Sequence, residues 1–589
     1  MTRKLTLLLS VMLILGLVLG GCAAPAGTGT TAEQPEAATE AAPEAAPAGP
    51  FEPMVMAAEN CDYGGEFLSM EAVDEKTVKF TLCYPDPAFP SKVAFSSFAI
   101  NDAGYLESTG GGGTLVEQPN GTGPYKMVEW LRGDQIIFER NEDFWGEPAI
   151  APTLVFRWSA ESAQRLVELQ AGTVDGIDNP GPDDFTVIED DPNLQLAQRN
   201  GTNIFYLGMN NTFPPFDNER VRQAFAMAID RQRLVDNFYP PGSSVASQFM
   251  PPAIFGYSEG QTWYEFNPDE AKKILEEEGV LPGFKTSITY RDVVRGYLPN
   301  PGVVAQDLQA QLADIGVEAE IVVMESGAFL DAADRGEIDG FHMLGWGADY
   351  PDATNFLDFH FGPGSSDQFG EGFPDIWDAL QEGATKSKAE DRQPWYDQAN
   401  ELIKQHVPMI PIAHGGNGAA FKADVEGAYA SDIGAEQFAL MNPAGRDTFV
   451  WMQNGEPPGL YCADGATAKR CVPASRYRGR CWHTGQARAP WLPRWPRLER
   501  QRRSGQSGPS RCVTASPSTA ATLDANDVVL SYGVRWDASP APCGRDGSFT
   551  YFPGLFGGFT GAPEWGRAVR PSGTKNLPEA TSFREGSSS

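Results

Sequence analysis

From residue 220 to residue 324 the apolar positions switch repeatedly between helical and strand spacing, and this switching constrains the fold more than any other feature. Val221, Ala224, Phe225, Ala228 and Ile229 fall on one face of a helix across Arg220 to Phe238, with Asp217 or Asn218 placed to cap it. Pro268-Asp269-Glu270 opens a second helix that Gly279 closes, and Val303 to Ile315 forms a third that ends at Gly316. A strand, Glu318 to Met324, follows directly. Upstream, Val78, Phe80 and Leu82 alternate with Thr77, Lys79 and Thr81, the pattern of a half-buried strand. Met127 to Trp130 and Gln135 to Glu139 repeat it around Arg132-Gly133-Asp134. The expected class is mixed α/β, without internal repeats.

At 589 residues the chain exceeds the ~250–300 that one core supports, so several domains are expected. A composition of 41% hydrophobic and 11% aromatic residues excludes a disordered or fibrous chain. Its 45 Lys and Arg stand against 78 Asp and Glu, a net charge of -33, which argues against nucleic acid as a partner because phosphate affinity needs clustered cations.

The start of the chain indicates export. Residues 1–21 read as a signal peptide, with Arg3 and Lys4 ahead of an apolar run from Leu5 to Leu19 that is short for a membrane span of ~20 residues. Leu19-Gly20-Gly21-Cys22 resembles the bacterial lipoprotein box, which implies lipidation of Cys22. Residues 23 to 50 contain only Ala, Pro, Gly, Thr, Glu and Gln, so residues 22–56 are read as the lipidated Cys and a flexible tether. Export permits disulfides, and Cys61 and Cys83 flank a hairpin-like stretch that a bridge would close; Cys462 and Cys471 are a weaker pair.

Catalytic patterns are sparse. The five His show no metal-ligand spacing, and neither a phosphate-binding Gly-Lys-Ser/Thr loop nor a Gly-x-Ser-x-Gly elbow is present. Asp358 and His360 could share a strand face, but an ordinary packed His is the favoured reading. No enzyme, cofactor or metal is expected.

Six motifs in order carry a family resemblance: Gly121-Thr122-Gly123-Pro124-Tyr125-Lys126 with Trp130, Arg140-Asn141 and Phe144-Trp145-Gly146; Leu169-Gln170-Ala171-Gly172-Thr173-Val174-Asp175; Phe216-Asp217 with Val221-Arg222-Gln223-Ala224 and Ala228-Ile229-Asp230-Arg231; Asn267-Pro268-Asp269-Glu270-Ala271-Lys272; Gln309-Ala310-Gln311-Leu312 with Ile315-Gly316-Val317; and Trp346-Gly347-Ala348-Asp349-Tyr350 with Asn355-Phe356-Leu357. Together they resemble the extracellular solute-binding proteins of oligopeptide, dipeptide and nickel ABC importers, family 5. The resemblance implies a two-lobed type II periplasmic-binding-protein fold with an extra subdomain, closing on ligand at the lobe interface.

The order departs from the family pattern. Thr448 to Pro457 looks like the family's opening strand, and Thr522 to Val529 resembles a helix start found about seventy residues later in typical members, yet both lie near the C-terminus. A circular permutation accounts for this, with a truncated tandem copy as the alternative. The expected domains are 57–215 plus 440–560 for the first lobe and its subdomain, and 216–439 for the second lobe. Between Gly465 and Ala521 stand eleven Arg and one Lys against the single acid Glu499, so 465–521 is read as frame-shifted or disordered, and 561–589 as a disordered tail.

In peptide-binding relatives an acid after a Trp-containing strand pairs with the ligand's α-amino group, which places Asp349 in that role. Gly345 and Gly347 would offer backbone to an extended ligand, with Trp346 as an apolar wall. Arg291 or Arg295 could meet a carboxylate, and Tyr206 and Asn210 are further candidates near the lobe crossover. The expected function is a lipid-anchored, monomeric receptor on the extracytoplasmic face of the membrane, passing peptides to an ABC permease. An oligosaccharide receptor of the same fold, or a secreted hydrolase, are the alternatives.

Overall fold

Three sheets carry the chain in the computed structural model, which describes residues 51–109, 114–457, 459–461, 509–511, 524–536 and 555–556. The readings for Cys22, the signal peptide, the tether up to residue 50, Cys462–Cys471 and the tail fall outside these residues; residues 51–56, read as the end of the tether, instead join the body, because Phe51, Met54 and Met56 pack on its core, Met56 pairs with Met70 and the Met54 amide donates to Asn526 Oδ1 at 2.7 Å.

The strands in chain order are β1 (Val55–Ala57), β2 (Phe67–Asp74), β3 (Thr77–Leu82), β4 (Tyr125–Leu131), β5 (Gln135–Arg140), β6 (Thr153–Trp158), β7 (Gly176–Asp178), β8 (Leu194–Arg199), β9 (Asn203–Met209), β10 (Ser244–Val245), β11 (Lys285–Arg291), β12 (Glu318–Met324), β13 (Phe341–Gly347), β14 (Met409–His414), β15 (Asn417–Lys422), β16 (Thr448–Gln453) and β17 (Pro509–Arg511). They form a four-stranded sheet β1-β2-β3-β17, a six-stranded sheet β10-β14-β9-β13-β11-β12 and a seven-stranded sheet β4-β5-β6-β16-β7-β15-β8.

The expected period-2 strands are present. In β3, Val78 and Phe80 are buried, and β4 and β5 pair as a hairpin whose turn uses Gly133 at φ +79°. The helical stretch across Arg220 to Phe238 forms two helices, Glu219–Ala228 and Arg231–Phe238, because Asp230 leaves the helical conformation and its side chain caps the second by accepting from the Arg233 amide. Asn218 caps the first. Helices Pro268–Glu277 and Pro301–Asp314 end just before Gly279 and Gly316, both at positive φ where Gly carries no Cβ penalty.

Sheet membership moves the lobe boundaries from 216 and 439. Strand β9 already belongs to the six-stranded sheet and β15 to the seven-stranded one. The chain therefore changes sheet at 200–202 and returns at 415–416, where Asn203 clamps the two crossovers: its side chain donates to the Gly415 carbonyl (2.7 Å) and accepts from the Gly415 amide (2.8 Å). His414 Nδ1 bonds the Asn203 carbonyl at 2.7 Å.

Segments from the chain's end are structural parts of the earlier sheets. Strand β16 runs parallel to both β6 and β7 in the interior of the seven-stranded sheet. Helix Ala525–Trp536 packs on the four-stranded sheet, where Val529 and Tyr532 join Phe67, Phe80, Phe98 and Phe556 in one buried cluster. Each such aromatic contributes roughly 1.5–3 kcal/mol by leaving water. Within the stretch read as frame-shifted, Pro509–Arg511 adds β17 antiparallel to β3. Cys61 and Cys83 are joined by a disulfide that closes the β2–β3 region.

Candidate functional site

Strand β13 positions the site. It pairs with β9 along its whole length, from Phe341 opposite Met209 to Gly347 opposite Asn203, but with β11 only at Phe341 and His342. From Met343 to Gly347 its second edge has no ladder partner among the described residues. Gly347 is exposed, and a Cβ there would touch nothing. Gly345 is buried under the Tyr297 ring, which a Cβ would strike together with the Ile204 carbonyl, so only Gly fits.

Beyond this edge the chain turns at the crossover, where the Ala348 amide donates to the Thr202 carbonyl at 2.9 Å, and delivers Asp349. Asp349 is 8% exposed. Burial pushes its carboxyl up to about 7, opposed by the Asn355 side chain, which donates to Oδ2 at 3.1 Å. Asp349 Oδ1 carries no hydrogen bond among the described residues.

The same Asn355 accepts through Oδ1 from the Asp349 amide (2.9 Å) and from the Trp346 indole (3.3 Å). Trp346 is half-buried, stacked on Phe359 with ring centroids 4.6 Å apart and edge-on to His360 at 4.8 Å. It packs against the cores of both the six-stranded and the four-stranded sheets, so the site lies where these parts meet.

Helix capping in this loop falls to Asp352, whose carboxylate accepts from the Thr354 amide and pairs bidentately with Arg392 at 2.8 Å. Asp349 is thereby left without a capping duty. Asp358 and His360 lie on the short helix Leu357–Phe361 and not on a strand; His360 is buried, with Nδ1 on the Phe356 carbonyl. Burial holds the His360 imidazole down at about 4, while burial and the Asp352 charge push Asp358 up to about 7. No cluster suited to a metal ion occurs among the described residues.

Arg291, at the end of β11, is buried yet meets two neutral hydroxyls, Ser326 Oγ at 3.1 Å and Tyr297 Oη at 3.4 Å. Through Tyr297 it is tied to the Gly345 edge. Arg295 closes a two-residue bridge with Leu298 in the following loop.

Two sequence candidates fall away from the site. Tyr206, on β9 opposite Leu344, is fully buried and spends its hydroxyl on Gln368 Oε1 at 2.8 Å. Asn210 follows the opposite end of β9 from Asn203, about 20 Å along the strand at ~3.3 Å per residue, and its side chain ties down the Gly336 and Thr212 turns. Proximity to the crossover in sequence placed them; the direction of β9 carries Asn210 away, and its bond to Gln368 occupies the Tyr206 hydroxyl. Conversely, sequence reasoning misses Asn355, Tyr297 and Asn203, although Asn355 stands in the same motif as Asp349.

Residues 33–368 match the family described as bacterial extracellular solute-binding proteins, family 5 Middle. The chain is similar to di/tripeptide-binding protein 1 of Pseudomonas aeruginosa, 33% identical over 352 residues that cover 59% of this chain and 65% of that protein. It thus spans just under two thirds of that relative's length. Among solved structures, the dipeptide binding protein of Pseudoalteromonas sp. SM9913 in complex with Met-Leu aligns with a TM-score of 0.60 at 27% identity, over 65% of this chain and 76% of that one. The periplasmic binding protein DppA of Helicobacter pylori with the peptide STSA aligns with a TM-score of 0.59 at 28% identity, over 64% and 74%.

Proposed function

Because the chain belongs to the bacterial extracellular solute-binding proteins of family 5, we propose that it is the lipid-anchored binding component of an ABC importer, taking short peptides at the β13 edge and passing them to a permease. The chain acts as a monomer outside the cytoplasmic membrane, held by Cys22, and performs no catalysis.

The observation that carries this reading is Asp349, a buried carboxylate with one oxygen open, standing at the end of an unpaired strand edge. An ammonium leaving water needs a charge partner, and a carboxylate supplies it through a charge-assisted hydrogen bond. The unpaired edge of β13, half-buried at Trp346 and exposed at Gly347, suits an extended peptide backbone, which adds main-chain bonds whatever its side chains. Arg291, buried without a carboxylate partner among the described residues, suits the peptide's other terminus. The peptide ligands of the Pseudoalteromonas and Helicobacter proteins support the same chemistry. The interior position of β16 supports the permuted order, since a sheet cannot close without its central strand.

Calorimetric titration of the purified protein with dipeptides and tripeptides, each with a free or an acetylated amino terminus, tests the reading. Binding of the free peptides and at least a hundredfold weaker binding of the acetylated ones is expected. Equal affinity for both forms, or heat only from β-linked oligosaccharides, would sink it.

A further inference from the structure

We propose that Asn355 is a positioning residue of the ligand site, its one amide group fixing the Asp349 carboxylate, the Asp349 backbone and the Trp346 indole in an arrangement that leaves Asp349 Oδ1 open to a cation. The inference rests on the peptide-receptor reading for the identity of that cation, though not for the geometry.

Asn355 is fully buried and commits its polar atoms to these three contacts. Nδ2 donates to Asp349 Oδ2, and both lone pairs of Oδ1 are taken, by the Asp349 amide and by Trp346 Nε1. Its own place is fixed. It ends the short helix Ala353–Asn355, which Asp352 caps and Arg392 locks from the helix Ala389–His406. The chemical point is the neutrality of the amide. A Lys or Arg in this position would orient Asp349 equally well but would neutralise it, and the carboxylate would have no charge left for a ligand's ammonium. A neutral donor orients one oxygen and leaves the charge on offer.

Charged groups surround the loop, yet the shift of Asp349 has burial and the Asn355 bond as its causes. Asp352 is paired with Arg392. On the four-stranded-sheet side, Lys92 is paired with Glu66 and Asp86. Asp358 responds to Asp352, Lys92, Arg392 and Asp86, and His360 is held neutral by burial.

The test uses the full chain with Asn355→Leu, which keeps the heavy-atom branching and removes all three bonds, and Asn355→Asp, which keeps the shape and both acceptor contacts but loses the donor. Two readouts are taken: the carboxyl-carbon NMR titration of Asp349 without ligand, and calorimetry with the dipeptide Ala-Phe from pH 5 to pH 9. The Asp349 midpoint should rise by half a unit or more in both variants, and Ala-Phe affinity at pH 7 should fall at least tenfold, the gap to wild type narrowing as pH rises and Asp349 ionises in both proteins. A midpoint that stays put in whichever variant folds overturns the proposal, even if the melting temperature falls, since that is a merely structural role. If wild-type protein ignores Ala-Phe while the midpoint still rises, the peptide reading fails and the positioning role of Asn355 stands.

Discussion

At the residue scale the site trades stability for a usable charge. Asp349 titrates near 7 in the folded chain against ~3.9 in an unfolded one, so the folded state holds a proton that the unfolded state has lost. Its stabilising influence is complete at low pH and is lost as pH rises through 7. Replacing it with the isosteric Asn removes the cost of the buried charge. Asp349→Asn should therefore gain stability over wild type by roughly 2–3 kcal/mol more at pH 8 than at pH 5, while losing peptide binding at both. Parallel denaturant titrations at the two pH values check the sign, and a variant equally destabilised at both would contradict it. The paired Asp352 shows the opposite case. With Arg392 buried beside it, Asp352→Ala should cost about 3–5 kcal/mol because an unpaired guanidinium is left in the interior.

At the scale of elements, the crossovers at 200–202 and 415–416 are the only described places where the chain passes between the six- and seven-stranded sheets along β8–β9 and β14–β15. They are held by side chain to backbone bonds from Asn203, and Gly415 lies so close to the Gly296 carbonyl that a Cβ would collide with it. Gly415→Ala should lower stability by about 1–3 kcal/mol through forced backbone movement. Gly347→Ala, on the exposed end of β13 with open space around it, should leave the melting temperature nearly unchanged. Thermal melts of the two variants side by side decide this, and a Gly415→Ala midpoint as unchanged as that of Gly347→Ala would mean that crowding at the crossover is relieved without cost.

For the whole molecule, acid stability is set by groups buried in opposite senses. Burial holds His342, His360 and His414 down at about 4, so the folded state refuses protons that the unfolded chain accepts below 6.5, and stability is lost as pH falls from 6.5 toward 4. Asp349 and Asp358 act the other way over much of the same range. Removing one histidine exposes the balance. His342→Leu, at a buried ring without hydrogen-bond partners among the described residues, should improve relative to wild type by roughly 2–3 kcal/mol between pH 7.5 and pH 4.5. Denaturant midpoints that move in parallel for the two proteins across that range would refute the assignment. The strand of β3, the β4–β5 hairpin, the helix stop at Gly316 and the motif that holds Asp349 are legible in the sequence because each depends on spacing within a few residues, whereas the first helix cap stays open between Asp217 and Asn218 and the Cys61–Cys83 bridge is only a candidate until the fold brings the two together. The tertiary structure decided what depends on distant segments: that Asp230 splits one helical stretch in two against the Gln311 side chain, that β9 and β15 change sheets, that Asn210 lies at the wrong end of β9, and that Asn355 reaches Asp349 and Trp346 together. Local spacing fixes which face of an element is apolar, but strand direction and the choice of partner sheet follow from how those faces are buried against one another.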